Sequence, residues 1–288
     1  MTATVTATAA ANVNAQRLRP YVAIVSARFR MLLQYRAAAI AGLWTQLFFG
    51  LVFLGVYEGF YRSSNQTPPM SFAHVVSYVW LGQALWAMLP WNADAEVRAM
   101  VRSGAVAYEL CRPVDLYSLW YARAVAWRTA PTMLRALPMI VVAAFGLPLI
   151  GLGEWRLAAP PSLESAAAFS AAIVCTLLLG CALTTLINIS LLWTLNGEGV
   201  AMLMAAMVTF FSGMIIPLPL FPDWIQPIVQ ALPFAGLVDL PFRVYTGHIA
   251  PRDVVPVLRH QLLWTAALVL FGRWLLSRGM RRIVVQGG

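Results

Sequence analysis

Apolar residues gather in six runs, at about 37–57, 72–91, 133–152, 166–192, 197–216 and 257–276, each able to supply the roughly 20 helical residues that a hydrocarbon core requires. The elements they predict are six transmembrane helices. Ahead of the first run the pattern changes. Leu18, Tyr21, Val22, Val25, Phe29, Leu32 and Leu33 recur at helical spacing, while Arg17, Arg19, Ser26, Arg28 and Arg30 fall off that stripe. This predicts an amphipathic basic helix over 16–36, with Pro20 in its first turn, where proline is tolerated. Such a helix either lies in the headgroup region with its arginines toward anionic lipid, packs on a partner, or is an ordinary flank of the first span. Between the fifth and sixth runs, 217–241 is apolar but carries Pro217, Pro219, Pro222, Pro227, Pro233 and Pro241. Prolines that dense deny a spanning helix its hydrogen bonds. Short helices dipping in from one face and shielded by protein are expected instead, with Asp223 and Trp224 at an interfacial turn. Residues 1–15 carry no charged side chain and lack the basic start and cleavage context of a signal peptide, so a disordered, uncleaved tail is expected there.

Composition places these helices in lipid: 60% of the 288 residues are apolar and 11% charged, with a mean hydropathy of +0.73. All twenty basic side chains are arginine. Without lysine there is no Walker A phosphate loop and no Schiff-base chemistry. The net charge of +9 follows the bias of cytoplasmic loops toward arginine. Arg17, Arg19, Arg28, Arg30 and Arg36 precede span one; Arg98, Arg102, Arg112, Arg123, Arg128 and Arg135 fall between spans two and three; Arg273, Arg278, Arg281 and Arg282 close the chain. That is fifteen of twenty on one side, with Arg62, Arg156, Arg243, Arg252 and Arg259 opposite, so both termini are expected in the cytoplasm, with an even number of spans. No internal repeat of the inverted-transporter kind is visible, and one membrane domain over 37–276 with a cytoplasmic tail over 277–288 is the simplest division. Cys111, Cys175 and Cys181 form no CxxC pair and are expected to be free thiols.

The stretch from Asn92 to Thr132 is the most patterned of the polar connections. Glu96 to Val101 is helix-compatible, Ser103-Gly104 breaks it, Ala105 to Leu110 can form a second short helix ending before Arg112-Pro113, and Asp115 can cap a third from Leu116 through Trp127. A short helix held between two spans gives a soluble partner something to push on; the alternative is a solvated loop lying on the membrane. Inside the spans, Gln46, Asn188, Asn196, Glu198, Thr209 and Ser212 are the polar candidates. Asn196 and Glu198 suit a helix cap better than a transport role. Asn188, with Thr184 and Thr185 on neighbouring turns, fits interhelical hydrogen bonding or pathway lining equally. Arg243, Asp239 and Asp253 are expected at an outer rim. His74, His248 and His260 are scattered without ligand spacing, and no nucleophile elbow, paired carboxylates or HExxH site is present.

Two strings resemble a known family. SGAVAYELCRPVDLYSLWYAR (103–123) looks like the cytoplasmic loop of ABC-2-type export permeases, where a glycine precedes a Leu-x-Arg-Pro element. FFSGMIIPLPLFPDWIQPIVQALPF (210–234) looks like that family's Ser-Gly at the end of span five, followed by a Pro-rich extracellular hairpin. The resemblance implies an all-α membrane protein of the bacterial inner membrane, with six transmembrane helices, an N-terminal amphipathic helix, a cytoplasmic coupling helix and an extracellular re-entrant hairpin. It also implies one half of a permease dimer, its second permease identical or homologous, resting on two copies of a cytoplasmic ABC ATPase that carry the ATP and Mg. This chain is then expected to hold no cofactor, to catalyse nothing itself, and to contact membrane lipid and no nucleic acid. By the same resemblance Arg102, Gly104, Tyr108, Glu109, Arg112, Pro113 and Asp115 belong to the ATPase-coupling surface, with Tyr108 an anchor and the charged residues offering pairs. Gln83, Trp86, Met204, Met207, Phe211 and Met214, with Asn188, would line an apolar path for amphipathic or lipid-like cargo; the plainer reading is ordinary packing or lipid contact. An ion-coupled secondary transporter is the rival from another class, but it needs midspan acids or broken helices, and every acid in the sequence maps near an interface. A membrane-embedded enzyme would need clustered ligating or nucleophilic residues inside the spans.

Overall fold

The computed structural model describes residues 18–64, 68–194 and 197–282. The tail expected over 1–15, together with Arg17, Asn196 and residues 283–288, lies outside them. The helices are α1 (18–32), α2 (Arg36–Ser63), α3 (Phe72–Leu85), α4 (Ala95–Arg102), α5 (Val106–Leu110), α6 (Leu116–Val141), α7 (Leu147–Leu149), α8 (Leu163–Thr194), α9 (Glu198–Phe211), α10 (Gln226–Ala231), α11 (Asp239–Tyr245) and α12 (Val254–Gly279). No strand occurs among the described residues.

Four of these segments are long and apolar enough to cross a membrane: Arg36–Ser63, Leu116–Leu149, Leu163–Thr194 and Pro251–Gly279. The protein is therefore an all-α, multi-pass membrane protein. The other two predicted spans are realised as shorter helices. The run at 72–91 becomes the 14-residue α3 followed by a 3-10 turn at Trp86–Met88, and the run at 197–216 becomes the 14-residue α9. α3 starts at the cap Ser71, whose side chain accepts from the His74 N–H, and nine of its residues are buried.

The third predicted span needs the largest correction. Its helix starts at Leu116 and not near 133, because the Asp115 cap opens a run that continues through Pro131 and Pro138, a π turn at Val142–Gly146 and α7. Each proline removes one backbone donor without ending the helix, as is tolerated where surrounding helices shield the freed carbonyls. The helix expected over Leu116 to Trp127 and the third run are therefore one helix, which carries Arg123, Arg128 and Arg135.

Since lipid tails are as apolar as the core, close packing and interhelical hydrogen bonds hold such a bundle, more than exclusion of water. α8 runs between α6 and α12. Gln261 of α12 is fully buried, and its Nε2 donates to the Ala172 carbonyl, the Thr176 hydroxyl and the Gly236 carbonyl, at 2.8–3.1 Å. One side chain thus ties α12 and α8 to the 3-10 turn at Pro233–Leu237. The main core gathers around α3, where Tyr78, Trp80 and Leu81 pack among Leu54, Met139 and Leu183.

The proline-rich segment folds as short turns: a 3-10 turn at Leu218–Leu220, then α10, the Pro233–Leu237 turn and α11. Pro219, Pro227 and Pro233 each stand at the first or second helical position, where no backbone donor is lost. Asp239, expected at an outer rim, is fully buried and holds this segment together. Its Oδ1 accepts from the Tyr78 hydroxyl at 2.6 Å and from the Leu218 N–H at 3.1 Å, and Oδ2 lies 3.5 Å from Arg243. Burial pushes this carboxyl above its ordinary range, against the opposing influence of Tyr78 and Arg243. Asp239 joins α3, the proline-rich segment and α11.

Candidate functional site

Two regions concentrate the polar chemistry. The first is the α4–α5 connection. Asp94 caps α4 through the Glu96 N–H, Gly104 turns the chain at φ +73°, a conformation that glycine adopts without strain, and α5 follows. These boundaries match the pattern in the sequence. What the sequence did not reveal is the arginine beneath them.

Arg123, buried on α6, faces three carboxylates: Glu109 at 3.1 Å, Glu96 at 2.8 Å and Asp94 at 3.4 Å. Arg28 of α1 pairs with Glu96 and approaches Asp94 at 3.9 Å, so this arginine turns toward protein and not only toward headgroups. The Asp115 N–H donates to the Tyr21 hydroxyl, a second tie between α1 and the loop. From α8, Asn188 Oδ1 accepts from the Asp94 N–H at 2.9 Å and Thr184 accepts from Arg128 Nε at 3.1 Å. Asn188 and Thr184 thus engage in interhelical hydrogen bonds, one turn apart on a single helix face.

The expected coupling residues divide over this scaffold. Tyr108 is 78% exposed, and Arg102, Arg112 and Pro113 are exposed with it. Glu109 departs from the expectation of an outward charge: it is 3% exposed and held by Arg123 and the Trp120 indole N–H, the latter at 2.8 Å. Asp115 is half-exposed, accepts from the Ser118 N–H as the cap of α6, and pairs with Arg273 at 3.3 Å. Partial burial works to raise its carboxyl, but the Ser118 hydrogen bonds and the Arg273 charge outweigh it and leave the group below its ordinary range.

The second region is a groove along α2. A cavity of about 450 Å³ brings together Gln83, Trp86 and Met214 with Gln46, Thr209 and Arg135. Of the expected path residues, Met204, Met207 and Phe211 instead pack partly buried against the main core, and Asn188 lies with Asp94. Arg135 is the residue that sequence reasoning missed: it counts among the arginines between spans two and three although it falls at the start of the third apolar run. The signal was available: no helix breaker follows the Asp115 cap before Arg135 other than a single proline. The Arg135 guanidinium crosses Gly42 so closely that a Cβ there would stand 2.6 Å from its central carbon. A neighbouring cavity of about 590 Å³, between the C-terminal half of α2 and the chain after α9, shares Phe53 and Ile215 with the first. The Tyr57 hydroxyl donates to the Ile215 carbonyl at that junction.

Long apolar helices, a braced polar loop and a groove along α2 are the features of this membrane protein. Among the described residues no group of three or more His, Cys, Asp or Glu is placed to hold a metal ion, and all three cysteines are free thiols. The family model described as ABC-2 family transporter protein matches residues 43–287, and the chain belongs to this family. Its members are non-catalytic membrane permeases. No curated protein and no solved structure matches the chain.

Proposed function

We propose that this chain is the permease half of an ATP-driven exporter in the bacterial inner membrane. It crosses six times with both termini in the cytoplasm, pairs with a second permease, identical or homologous, and rests on two copies of a separate ATPase that binds ATP and Mg. The observation that carries the reading is the exposed tip formed by α5 and the turn after it: Tyr108 on the helix and Arg112 and Pro113 just beyond it stand exposed, and Arg123 fastens the helix to α6 through Glu109. An aromatic and an arginine on a rigid support are the residue types that anchor protein interfaces. Force applied at the tip reaches α6 through buried ion pairs, without a flexible hinge between. Arg102, Gly104 and Asp115 complete that surface, while Glu109 acts from beneath it.

Six crossings require α3 and α9 to span alongside the four long helices, which their core packing supports. Cargo passes along the groove holding Gln83, Trp86 and Met214, with Met204, Met207 and Phe211 as the flexible packing that lets it widen. The test is co-purification of a cytoplasmic ABC ATPase subunit with this chain from its native membrane. Arg112→Glu and Tyr108→Ala are each expected to lower recovery of that subunit or to uncouple ATP hydrolysis from transport. Unchanged assembly and coupling in both variants would remove the α5 tip from this role.

A further inference from the structure

Arg135 enters the α2 groove with no carboxylate opposite it. Among the described residues it forms no ion pair, its Nη2 reaches only the Ala38 carbonyl at 3.5 Å, and its Nε is buried without a hydrogen-bond partner. A cation inside a spanning helix is costly unless something neutralises it. Beside it Gln46, itself only 6% exposed, has its Oε1 buried and unpartnered. A glutamine amide can turn to present its NH₂ to an anion.

Beyond these groups the walls change character. Gly42, Gln46, Phe49 and Phe53 follow one another along a single face of α2, so the cavity is cationic at one end and aromatic at the other. The second cavity continues past Phe53 to Phe60 and Ser64 with walls that are largely apolar. From Gly42 to Ser64 the two cover about 33 Å at ~1.5 Å per residue, close to the ~30 Å of a hydrocarbon core. Both volumes fall within the roughly 300–1,000 Å³ of small-molecule sites.

We propose that the groove takes a single-chain amphiphile with an anionic head, a carboxylate or a phosphate monoester, its head held by Arg135 and Gln46 and its chain along Phe49 and Phe53 toward Ile215. This rests on the permease reading for its meaning as cargo, but binding itself requires no ATPase. The charge selects the head, and the aromatic walls accept tails of varied length.

The experiment is equilibrium binding of radiolabelled palmitate to the purified full-length chain in an uncharged detergent. Competitors are hexadecanol, hexadecyltrimethylammonium and a lysophosphatidate of the same chain length. In the wild type, hexadecanol and the ammonium amphiphile are expected to displace palmitate at least tenfold more weakly than palmitate displaces itself. Arg135→Gln is expected to lose at least tenfold in palmitate affinity, and Arg135→Lys to keep most of it. Lysophosphatidate displacing more tightly than palmitate assigns a phosphate head; weaker displacement assigns a carboxylate; both support the proposal. Equal displacement by neutral and cationic competitors overturns it without any variant, and so does undiminished palmitate binding by folded Arg135→Gln. Failure to bind any of the four amphiphiles, with a second copy covering the groove, overturns it equally. Those failures leave the ATPase partnership intact, whereas a wild-type chain that co-purifies no ATPase sinks the permease reading and leaves the binding result standing.

Discussion

At the scale of single residues, Arg123 shows how one buried cation organises several elements. A buried ion pair adds little over a well-packed apolar substitute, yet removing one partner strands the other, at about 3–5 kcal/mol. Arg123→Ala leaves Glu109 and Asp94 buried without their shared cation. It is expected to destabilise the purified chain by about that amount, read as a shift in its denaturation midpoint. Tyr108→Ala, at an exposed site, is expected to change that midpoint by less than about 0.5 kcal/mol. A comparable loss in both variants would mean that α5 is held by its tip as much as by its base. Asp239 allows a second comparison: Asp239→Ala strands the Tyr78 hydroxyl and the Leu218 N–H, at about 1–3 kcal/mol for each group left without an acceptor, whereas Asp239→Asn keeps an oxygen for both. If the two substitutions cost the same in thermal stability, the Arg243 charge and not the acceptor geometry is what Asp239 supplies.

At the scale of elements, the start of α6 depends on its cap. Asp115→Ala is expected to cost about 1 kcal/mol, typical of a lost N-cap. The sign of its pH dependence follows from the carboxyl lying below its ordinary value while it faces Ser118 and Arg273. The contribution is fully present above the unfolded value, about 3.9, and is lost as pH falls through the lower folded value. Melting curves of wild type and Asp115→Ala should therefore differ at neutral pH and converge in acid; a gap that persists in acid would place the contribution elsewhere. Caps and breakers of this kind were legible in the sequence because they act within a few residues: Ser103-Gly104 and Asp115 set α5 and α6 where the pattern put them, while the Asp94 cap of α4 emerged only in the structure. The true length of α6 was not legible. The sequence pattern put Arg123 in a helix ending at Trp127 and Arg135 in a separate run from 133, and only tertiary contacts, the acids around Arg123 and Thr184 beside Arg128, make one continuous helix across the gap compatible with its arginines. The burial of Glu109 and Asp239 was not legible for the same reason: a partner lies 14 residues away in one case and 161 in the other.

At the scale of the whole molecule, the proposed orientation places the proline-rich segment outside and the α5 tip inside. Asp223 is exposed, as is the native thiol of Cys111. An Asp223→Cys chain in whole cells is expected to react with an impermeant thiol reagent added outside, and the wild-type chain only after the cells are opened. The reverse pattern would invert the topology. Within that orientation, α3 and α9 have a consequence for the surrounding lipid. Fourteen helical residues cover about 21 Å, some 9 Å less than an undisturbed hydrocarbon layer of ~30 Å. α3 is sheathed by other helices, but α9 presents Met202, Leu203 and Phe210 at its surface. Acyl chains beside α9 must shorten to meet it, at fractions of a kcal/mol per Å of mismatch. The protein would therefore carry its own dimple, a thinned annulus in which the distance between the two leaflets is least.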